Sequence, residues 1–287
     1  MGTGGVPAPR KEKIMRIQYW GTAAAEAYPA MFCTCEACRR AREQGGKNIR
    51  TRTSALIDQS VMIDFSPDTN YNRLRYGYDM SRLQALCITH AHSDHLSAAE
   101  LVMHAPYPYC RGNGGTLRFF CGEDGEKQIQ EHSASDGFDP ALQVTIWKPY
   151  QKERVTDTLD VTPLPAKHDP THACYILLLE SQGKGFLYGH DTAFPEEDVF
   201  EFLKGRRLDG ISLDCNNGAR PSGRTHMGLE DAARFAARLE ESGCLRKGAV
   251  RVINHFSHAC GLLHGELEQC AAPRGFSVAW DGMEIDV

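Results

Sequence analysis

The sequence has 287 residues, of which 41% are hydrophobic and 24% are charged, and its formal net charge is −5. This length can bury a sizeable core, and without a dividing linker it favours one α/β domain over two small ones. Its apolar runs are shorter than the roughly 18 residues of a membrane span, so no membrane partner is predicted. The acidic balance gives no overall attraction for nucleic acid.

The N-terminal residues predict where the folded domain begins, and the cysteines indicate the cellular compartment. Residues 1–13 are small and rich in proline and glycine without an apolar signal core, which predicts a flexible leader ahead of a folded domain. The eleven cysteines are an odd number, and three of them cluster as Cys33, Cys35 and Cys38. Clustered thiols on a polar segment favour zinc ligands in a reducing, cytoplasmic compartment over a disulfide scaffold. The alternative is three unrelated thiols.

Apolar periodicity and turn residues predict the elements of the fold. Strands are expected at 14–19, 55–58, 61–64, 83–88, 117–121, 142–148, 155–158, 159–166, 173–180, 185–188, 210–214 and 250–253. Helices are expected at 70–78, 98–104, 123–131, 195–204 and 229–242. This mixture predicts two mixed sheets packed face to face with helices outside, which is a four-layer αββα sandwich.

A dense cluster of polar residues follows the strand at 83–88. The segment from Thr89 to Leu96 reads Thr-His-Ala-His-Ser-Asp-His-Leu, with three imidazoles and a carboxylate within six residues. Because side chains alternate along an extended chain, His90 and His92 can share one face, while the following Asp94 and His95 reach a neighbouring position. A mixed His/Asp shell is typical of hydrolytic sites for zinc, iron or manganese. A solvated polar loop is the alternative.

Later strands also end in polar residues. His168 follows the strand at 159–166, with His172 four residues on as a second candidate ligand. Asp191 follows another strand, and its two carboxylate oxygens can bridge two cations. Taken alone, an Asp in such a turn is usually a turn former, and a His at a strand end is usually an ordinary loop residue.

Two further segments place histidines at the ends of elements. His226 lies just before the helix at 229–242, where the helix N-terminus favours anions, although it could also cap or pack. The strand at 250–253 delivers His255 and His258, which are three residues apart and can therefore face different directions.

The spacing His-x-His-x-Asp-His resembles the signature of the metallo-β-lactamase superfamily at every fixed position. Within that superfamily the chain most resembles the cyclic-phosphate phosphodiesterase family of the bacterial carbon–phosphorus lyase pathway. The likeness extends from Ile14 to Val287 and is strongest at the cysteine cluster, the central motif and the C-terminal part. It implies one metallo-β-lactamase-type domain over 14–287, with a zinc-bound loop insertion near 33–38.

The resemblance also implies ligands and roles. Two divalent ions, manganese or zinc with iron as a further option, would hold a bridging hydroxide. The implied ligands are His90, His92 and His168 for one ion, Asp94, His95 and His255 for the other, and Asp191 as the bridge. Asp94 would also orient the hydroxide, and His226 would contact the phosphate or protonate the leaving group. His258 would complete a structural zinc site with Cys33, Cys35 and Cys38, while His190 would stand behind the ligands or in the pocket wall.

The implied function is an enzyme, a phosphodiesterase acting on a small phosphodiester such as a ribosyl 1,2-cyclic phosphate. Alternatives on the same fold are a lactonase, a β-lactamase-like enzyme and an RNA-processing nuclease, but the acidic balance argues against nucleic acid and the extra cysteine site against lactamases. An inactive binding protein would lack a ligand, and none is missing. A homodimer is left open. The sequence departs from the family at 21–28, where Glu26 would repel a phosphate dianion. The aromatic segment 105–110 is a candidate cleft wall, with a plain surface loop as the alternative.

Overall fold

The computed structural model describes residues 14–106, 108–111 and 115–287. The leader predicted at 1–13 lies outside these ranges, as does Tyr107 of the aromatic segment. Among the helices of the described ranges, none combines the length and the apolarity needed to cross a membrane.

The described residues form two seven-stranded sheets. The first sheet has the spatial order β14-β1-β2-β3-β4-β5-β6. Its strands are β1 (Arg16–Gly21), β2 (Ser54–Ile57), β3 (Val61–Ile63), β4 (Ala85–Cys87), β5 (Leu117–Cys121), β6 (Leu142–Ile146) and β14 (Glu284–Asp286). Strands β3 to β6 are parallel, and the remaining pairs of this sheet are antiparallel.

The second sheet has the spatial order β13-β12-β11-β10-β9-β8-β7. Its strands are β7 (Glu153–Arg154), β8 (Leu159–Pro165), β9 (Tyr175–Ser181), β10 (Lys184–Gly189), β11 (Leu208–Asp214), β12 (Leu245–Asn254) and β13 (Ser277–Val278). Strands β10 to β13 are parallel. Because β8 and β10 are both antiparallel to β9, they run in the same direction as each other.

Helices cover the outer faces of both sheets. The α-helices of the described residues are α1 (Glu36–Gln44), α2 (Thr69–Arg75), α3 (Ala98–Leu101), α4 (Glu123–Asp136), α5 (Glu197–Leu203), α6 (Leu229–Glu241) and α7 (His264–Ala271). Helix α1 packs in a separate cluster with Ala23, Tyr28 and Leu263. Leu101 of α3 and Ile129 of α4 pack on the outer face of the first sheet, whereas Phe200 of α5 and Phe235 of α6 join the core of the second sheet. The predicted four-layer αββα sandwich is confirmed.

The residues in and after β4 form one apolar run because both faces of the strand are buried. Cys87 faces the core between the two sheets, and Leu86 and Ile88 face the core under the outer helices. A strand that is buried on both faces has no polar side to alternate with. In the hairpin between β2 and β3, Ile57 pairs with Val61, and Asp58 and Gln59 of the three-residue connection both have positive φ, which matches the twist of the two strands.

Several predicted elements were wrong in extent or kind. The strand predicted at 155–158 is a turn in which Thr156 Oγ1 accepts from Leu159 N, while the strand itself is β7 just before it. Helix α4 continues past 131 until Gly137, whose φ of 74° ends it. The segment predicted as a loop near 33–38 contains the start of α1, and α7, β13 and β14 were not predicted.

Candidate metal centre

The predicted ligands lie where strand ends meet. Strands β8, β10, β11 and β12 run in one direction, so their carboxyl ends share one edge of the second sheet. Strand β4 delivers its polar loop to the same edge, because Thr89 O accepts from Tyr175 N at the start of β9 (3.0 Å). The edges of the two sheets therefore bring His, Asp and Thr side chains from distant segments together.

The first group of donor atoms consists of three imidazoles. His92 Nδ1 lies 3.0 Å from His90 Nε2 and 3.2 Å from His168 Nε2. Burial lowers the pKa of both His90 and His168, so both present neutral lone pairs, the form that binds a metal ion. The second candidate, His172, places its Nδ1 2.9 Å from Asp124 Oδ2 and lies outside this group, in a separate cluster of possible donors with His92 and Asp169.

The second group surrounds Asp191. Asp191 Oδ2 lies 2.6 Å from His95 Nε2, and Asp191 Oδ1 lies 3.0 Å from His255 Nε2. Asp94 Oδ2 lies 3.1 Å from the same nitrogen of His95. Asp191 Oδ1 is also 3.6 Å from His168 Nε2, so this carboxylate stands between the two groups. The structure thus brings together all seven side chains predicted as active-site ligands, although metal binding by them stays a prediction.

Two buried atoms test whether a cation fits. His95 Nε2 and Asp191 Oδ2 are close and buried, yet neither has a hydrogen-bond partner with acceptable geometry. A buried polar atom without a partner is costly, and the cost disappears if both atoms bind one ion. Imidazole and carboxylate donors suit zinc, manganese or iron, so the residues fit the divalent metals that the fold implies.

Each imidazole of the two groups is held by a contact at its other nitrogen. The contacts are His90 Nδ1 to Thr89 Oγ1 (3.0 Å), His92 Nε2 to Asp169 Oδ2 (2.9 Å), His95 Nδ1 to Asp64 Oδ2 (2.7 Å), His168 Nδ1 to Thr225 O (3.3 Å) and His255 Nδ1 to Thr53 Oγ1 (3.0 Å). Such contacts fix the ring and the tautomer of a ligand histidine.

Asp64 was not predicted as part of the site. Its fully buried carboxylate accepts hydrogen bonds from His95 Nδ1, from Thr89 N (2.8 Å) and from Thr89 Oγ1. Its φ is 60°, and Asp191 and His255 also have positive φ. Residues in this sparsely populated region are common at functional sites. The available signal was an aspartate directly after the apolar strand β3.

His226 stands beside the donor atoms. Its Nδ1 lies 3.0 Å from Asp214 Oδ2 and 3.6 Å from Asp191 Oδ1. Asp214 is fixed by the N–H groups of Asn216 and Met227, each at 3.0 Å. Burial disfavours the charged imidazole, but the Asp214 carboxylate outweighs it and raises the pKa of His226 to about 9. His226 can therefore carry a proton at neutral pH.

The cysteine cluster is a separate group. The donor atoms of Cys33, Cys35, Cys38 and His258 lie within 4.8 Å of one another. Cys35 Sγ is 3.5 Å from His258 Nδ1, and this contact lowers the pKa of Cys35 to about 6, which favours the thiolate that zinc binds. The structure groups the four predicted ligands, and their zinc stays a prediction.

Glu26 and His190 have clear roles in packing. The Glu26 carboxylate accepts from Ser257 Oγ and lies 3.7 Å from His258 Nε2. It therefore lies beside His258 of the cysteine cluster, and its effect on a bound phosphate stays a prediction. His190 is buried with its Nε2 2.7 Å from Ser212 Oγ, so it stands behind Asp191 and not among the donor atoms.

Comparison with known proteins places the chain in a family. A model of the beta-lactamase superfamily domain matches residues 59–246, and no curated protein matches the sequence. Similar structures include a diphosphatase from the PhnP family, with a TM-score of 0.75 and 21% identity over 95% of this chain and 98% of that one. Zinc-bound PqqB from Methylobacterium extorquens has a TM-score of 0.72 and 16% identity over 95% and 100%. Human tRNase Z, short form, has a TM-score of 0.62 and 13% identity over 94% and 98%. The chain therefore belongs to the beta-lactamase superfamily, with the fold of its metal-dependent hydrolases.

Proposed function

We propose that the protein is a dinuclear metal-dependent phosphodiesterase that hydrolyses a small phosphodiester. A ribosyl 1,2-cyclic phosphate is the first candidate substrate, and manganese, zinc or iron are the candidate metals. The observation that carries the proposal is the position of Asp191, whose Oδ2 lies 2.6 Å from His95 Nε2 and whose Oδ1 lies 3.0 Å from His255 Nε2 and 3.6 Å from His168 Nε2. Two donor groups that share a carboxylate suit the paired cations of phosphoryl transfer.

Around such a pair of metal ions, different residues of the chain would have different roles. When bound, the metals would activate a water molecule and neutralise the phosphoryl oxygens. Asp191 sets the separation of the two donor groups. Burial would raise the pKa of Asp94, but the adjacent His95 outweighs this and holds it below its usual range, so Asp94 is an anion that can orient the attacking water.

His226 is the proposed proton donor. Its side chain is 21% exposed, whereas the side chains of His95 and His255 are each only 1% exposed, so a substrate can reach His226. Because Asp214 accepts at Nδ1, Nε2 is the nitrogen left for the substrate. A protonated imidazole there can hydrogen-bond a phosphoryl oxygen and protonate the departing alkoxide.

Two features support a small phosphorus-containing substrate over the alternatives. One structural relative is named a diphosphatase. The net charge of −5 gives no overall attraction for RNA. A turnover assay with all three kinds of substrate distinguishes a phosphodiesterase from a lactonase or a β-lactamase.

The test is turnover by metal-loaded protein of bis(p-nitrophenyl) phosphate, a lactone and a β-lactam, with manganese or zinc added. We expect hydrolysis of the phosphodiester only, and loss of that activity after chelation and in Asp191→Ala. Faster turnover of the lactone or the lactam than of the diester would overturn the proposal.

The proposal also covers the cellular compartment, the partner and the assembly of the enzyme. We infer a cytoplasmic location because the thiols of Cys33, Cys35 and Cys38 bind zinc only in reduced form. The proposed partner is the small phosphodiester alone. A homodimer is the candidate assembly, and light scattering of the purified protein measures it.

A further inference from the structure

A second histidine–carboxylate pair lies beside the donor atoms. Four imidazoles form a row in the order His172, His92, His168 and His226, and successive ring centroids are 5.0, 5.1 and 4.9 Å apart. The two inner rings belong to the first donor group. The two outer rings are each held by a carboxylate, His226 by Asp214 and His172 by Asp124. The function proposed above uses only one end of this row.

His172 has one nitrogen free for a ligand. A carboxylate can only accept, so the Nδ1–H of His172 donates to Asp124 Oδ2 at 2.9 Å. No hydrogen-bond partner of His172 Nε2 exists among the described residues. The side chains of His172 and His92 are 31% and 30% exposed, whereas that of His95 is 1% exposed. Solvent or a substrate can therefore reach this end of the row as well as the His226 end, whose side chain is 21% exposed.

The position of His172 is fixed by packing. Gly122 precedes α4, and a Cβ at this position would lie 3.2 Å from Ala173 Cβ, so the absence of a side chain lets the loop of His172 approach α4 closely. Helix α4 is itself joined to the central motif, because Gln128 Nε2 donates to Ala91 O (2.8 Å). The His172 ring is thus held by Asp124 of a helix that is itself anchored to the central motif, and recognition requires such a fixed geometry.

The charges around this ring select the kind of group it can bind. The carboxylates of Asp124 and Asp169 lie beside it, and Glu123 and Glu126 are in the first turn of the same helix. Like charges disfavour a second phosphate or carboxylate at this point. A hydroxyl can both donate and accept, so it pairs with Nε2 in either protonation state of the ring.

We propose that His172, positioned by Asp124, hydrogen-bonds a hydroxyl of the substrate's organic substituent and so selects hydroxylated, sugar-like phosphodiesters. This inference rests on the proposed phosphodiesterase function. His172 is then a specificity residue, and Asp124 is the positioning residue that acts through it.

The test compares two diesters, a ribosyl 1,2-cyclic phosphate and bis(p-nitrophenyl) phosphate, which has no hydroxyl. Loss of one hydrogen bond in His172→Leu should raise KM for the ribosyl diester about 3- to 10-fold. KM for bis(p-nitrophenyl) phosphate and the metal content per chain should not change. Asp124→Asn keeps an acceptor oxygen and should give a smaller effect in the same direction.

The matched control is His132→Leu, which removes an exposed histidine from the same helix and should leave both substrates unchanged. An equal effect of His172→Leu on both diesters, or a loss of metal, would overturn the inference, as would unchanged kinetics with both. Failure of the wild-type protein to hydrolyse either diester would contradict the proposed function and this inference with it. If the wild-type protein hydrolyses both diesters but His172→Leu shows no selective effect, the proposed function stands and only the inference about His172 fails.

Discussion

Asp64→Asn isolates the contact that orients His95. Asp64 Oδ2 accepts from His95 Nδ1 at 2.7 Å, while its Oδ1 accepts from Thr89 N and Thr89 Oγ1 at 2.8 and 2.9 Å. Asparagine has the same shape and tolerates the φ of 60° at this position. Its amide, however, offers an acceptor at only one of the two places, so either His95 or Thr89 loses its partner.

The burial of Asp64 determines how much stability and metal affinity the Asp64→Asn substitution should remove. Asp64 is fully buried, so water cannot replace the lost acceptor. One buried N–H group without a partner costs about 1–3 kcal/mol of unfolding free energy. Loss of the carboxylate behind a ligand histidine typically lowers metal affinity about 10- to 100-fold. We expect kcat to recover when metal is in excess, because Asp64 touches no substrate.

The assay is competition with a metal chelator, together with chemical unfolding of the metal-free protein. Asp58→Asn is the matched control, since Asp58 has a similar φ of 47° in the β2–β3 hairpin and accepts from Arg16 N, away from the donor atoms. Wild-type metal affinity in Asp64→Asn, or an equal loss in both variants, would refute the orienting role.

Three further variants test the division of roles. Asp191→Ala should abolish hydrolysis and lower the occupancy of both metals, because it removes their shared carboxylate; metal analysis and rates measure this. His226→Ala should keep both metals and lower kcat about 10²- to 10⁴-fold, and a metal loss equal to that of Asp191→Ala would show it to be a ligand. Cys35→Ser should lower zinc content, melting temperature and kcat together, because it opens the site that His258 completes; unchanged zinc and stability would mean ordinary thiols.

The sequence identified the side chains that carry the donor atoms, but it did not identify the hydrogen bonds that hold those side chains in place. The residues from His90 to His95 are contiguous, so the direction of one strand and one turn places them. The contacts behind the rings join residues far apart in the chain, such as Asp64 with His95 and Thr53 with His255, which are 31 and 202 positions apart. A single sequence has no local signal for such a pair, because only the docking of strands brings it together.

The missed elements have a similar cause. Helix α1 buries only Ala37, Cys38 and Ala41, and this stripe of small side chains gives a weak apolar pattern among charged residues. Strands β13 and β14 have two and three residues and exist because β12 and β1 offer free edges to them. The segment 155–158 has strand-forming residues, but side-chain hydrogen bonds of Thr156 to the backbone close it into a turn.

The contacts at the outer nitrogens of the five histidines predicted as ligands have a consequence for metal uptake. A side chain that must be immobilised on binding costs about 0.5–1.5 kcal/mol of conformational entropy. These rings are already immobilised by Thr89, Asp169, Asp64, Thr225 O and Thr53, so their ordering cost is part of folding and not of metal capture. The metal-free protein should therefore have the same backbone as the loaded one at this edge. We therefore expect ions to enter and leave this site without refolding of the chain.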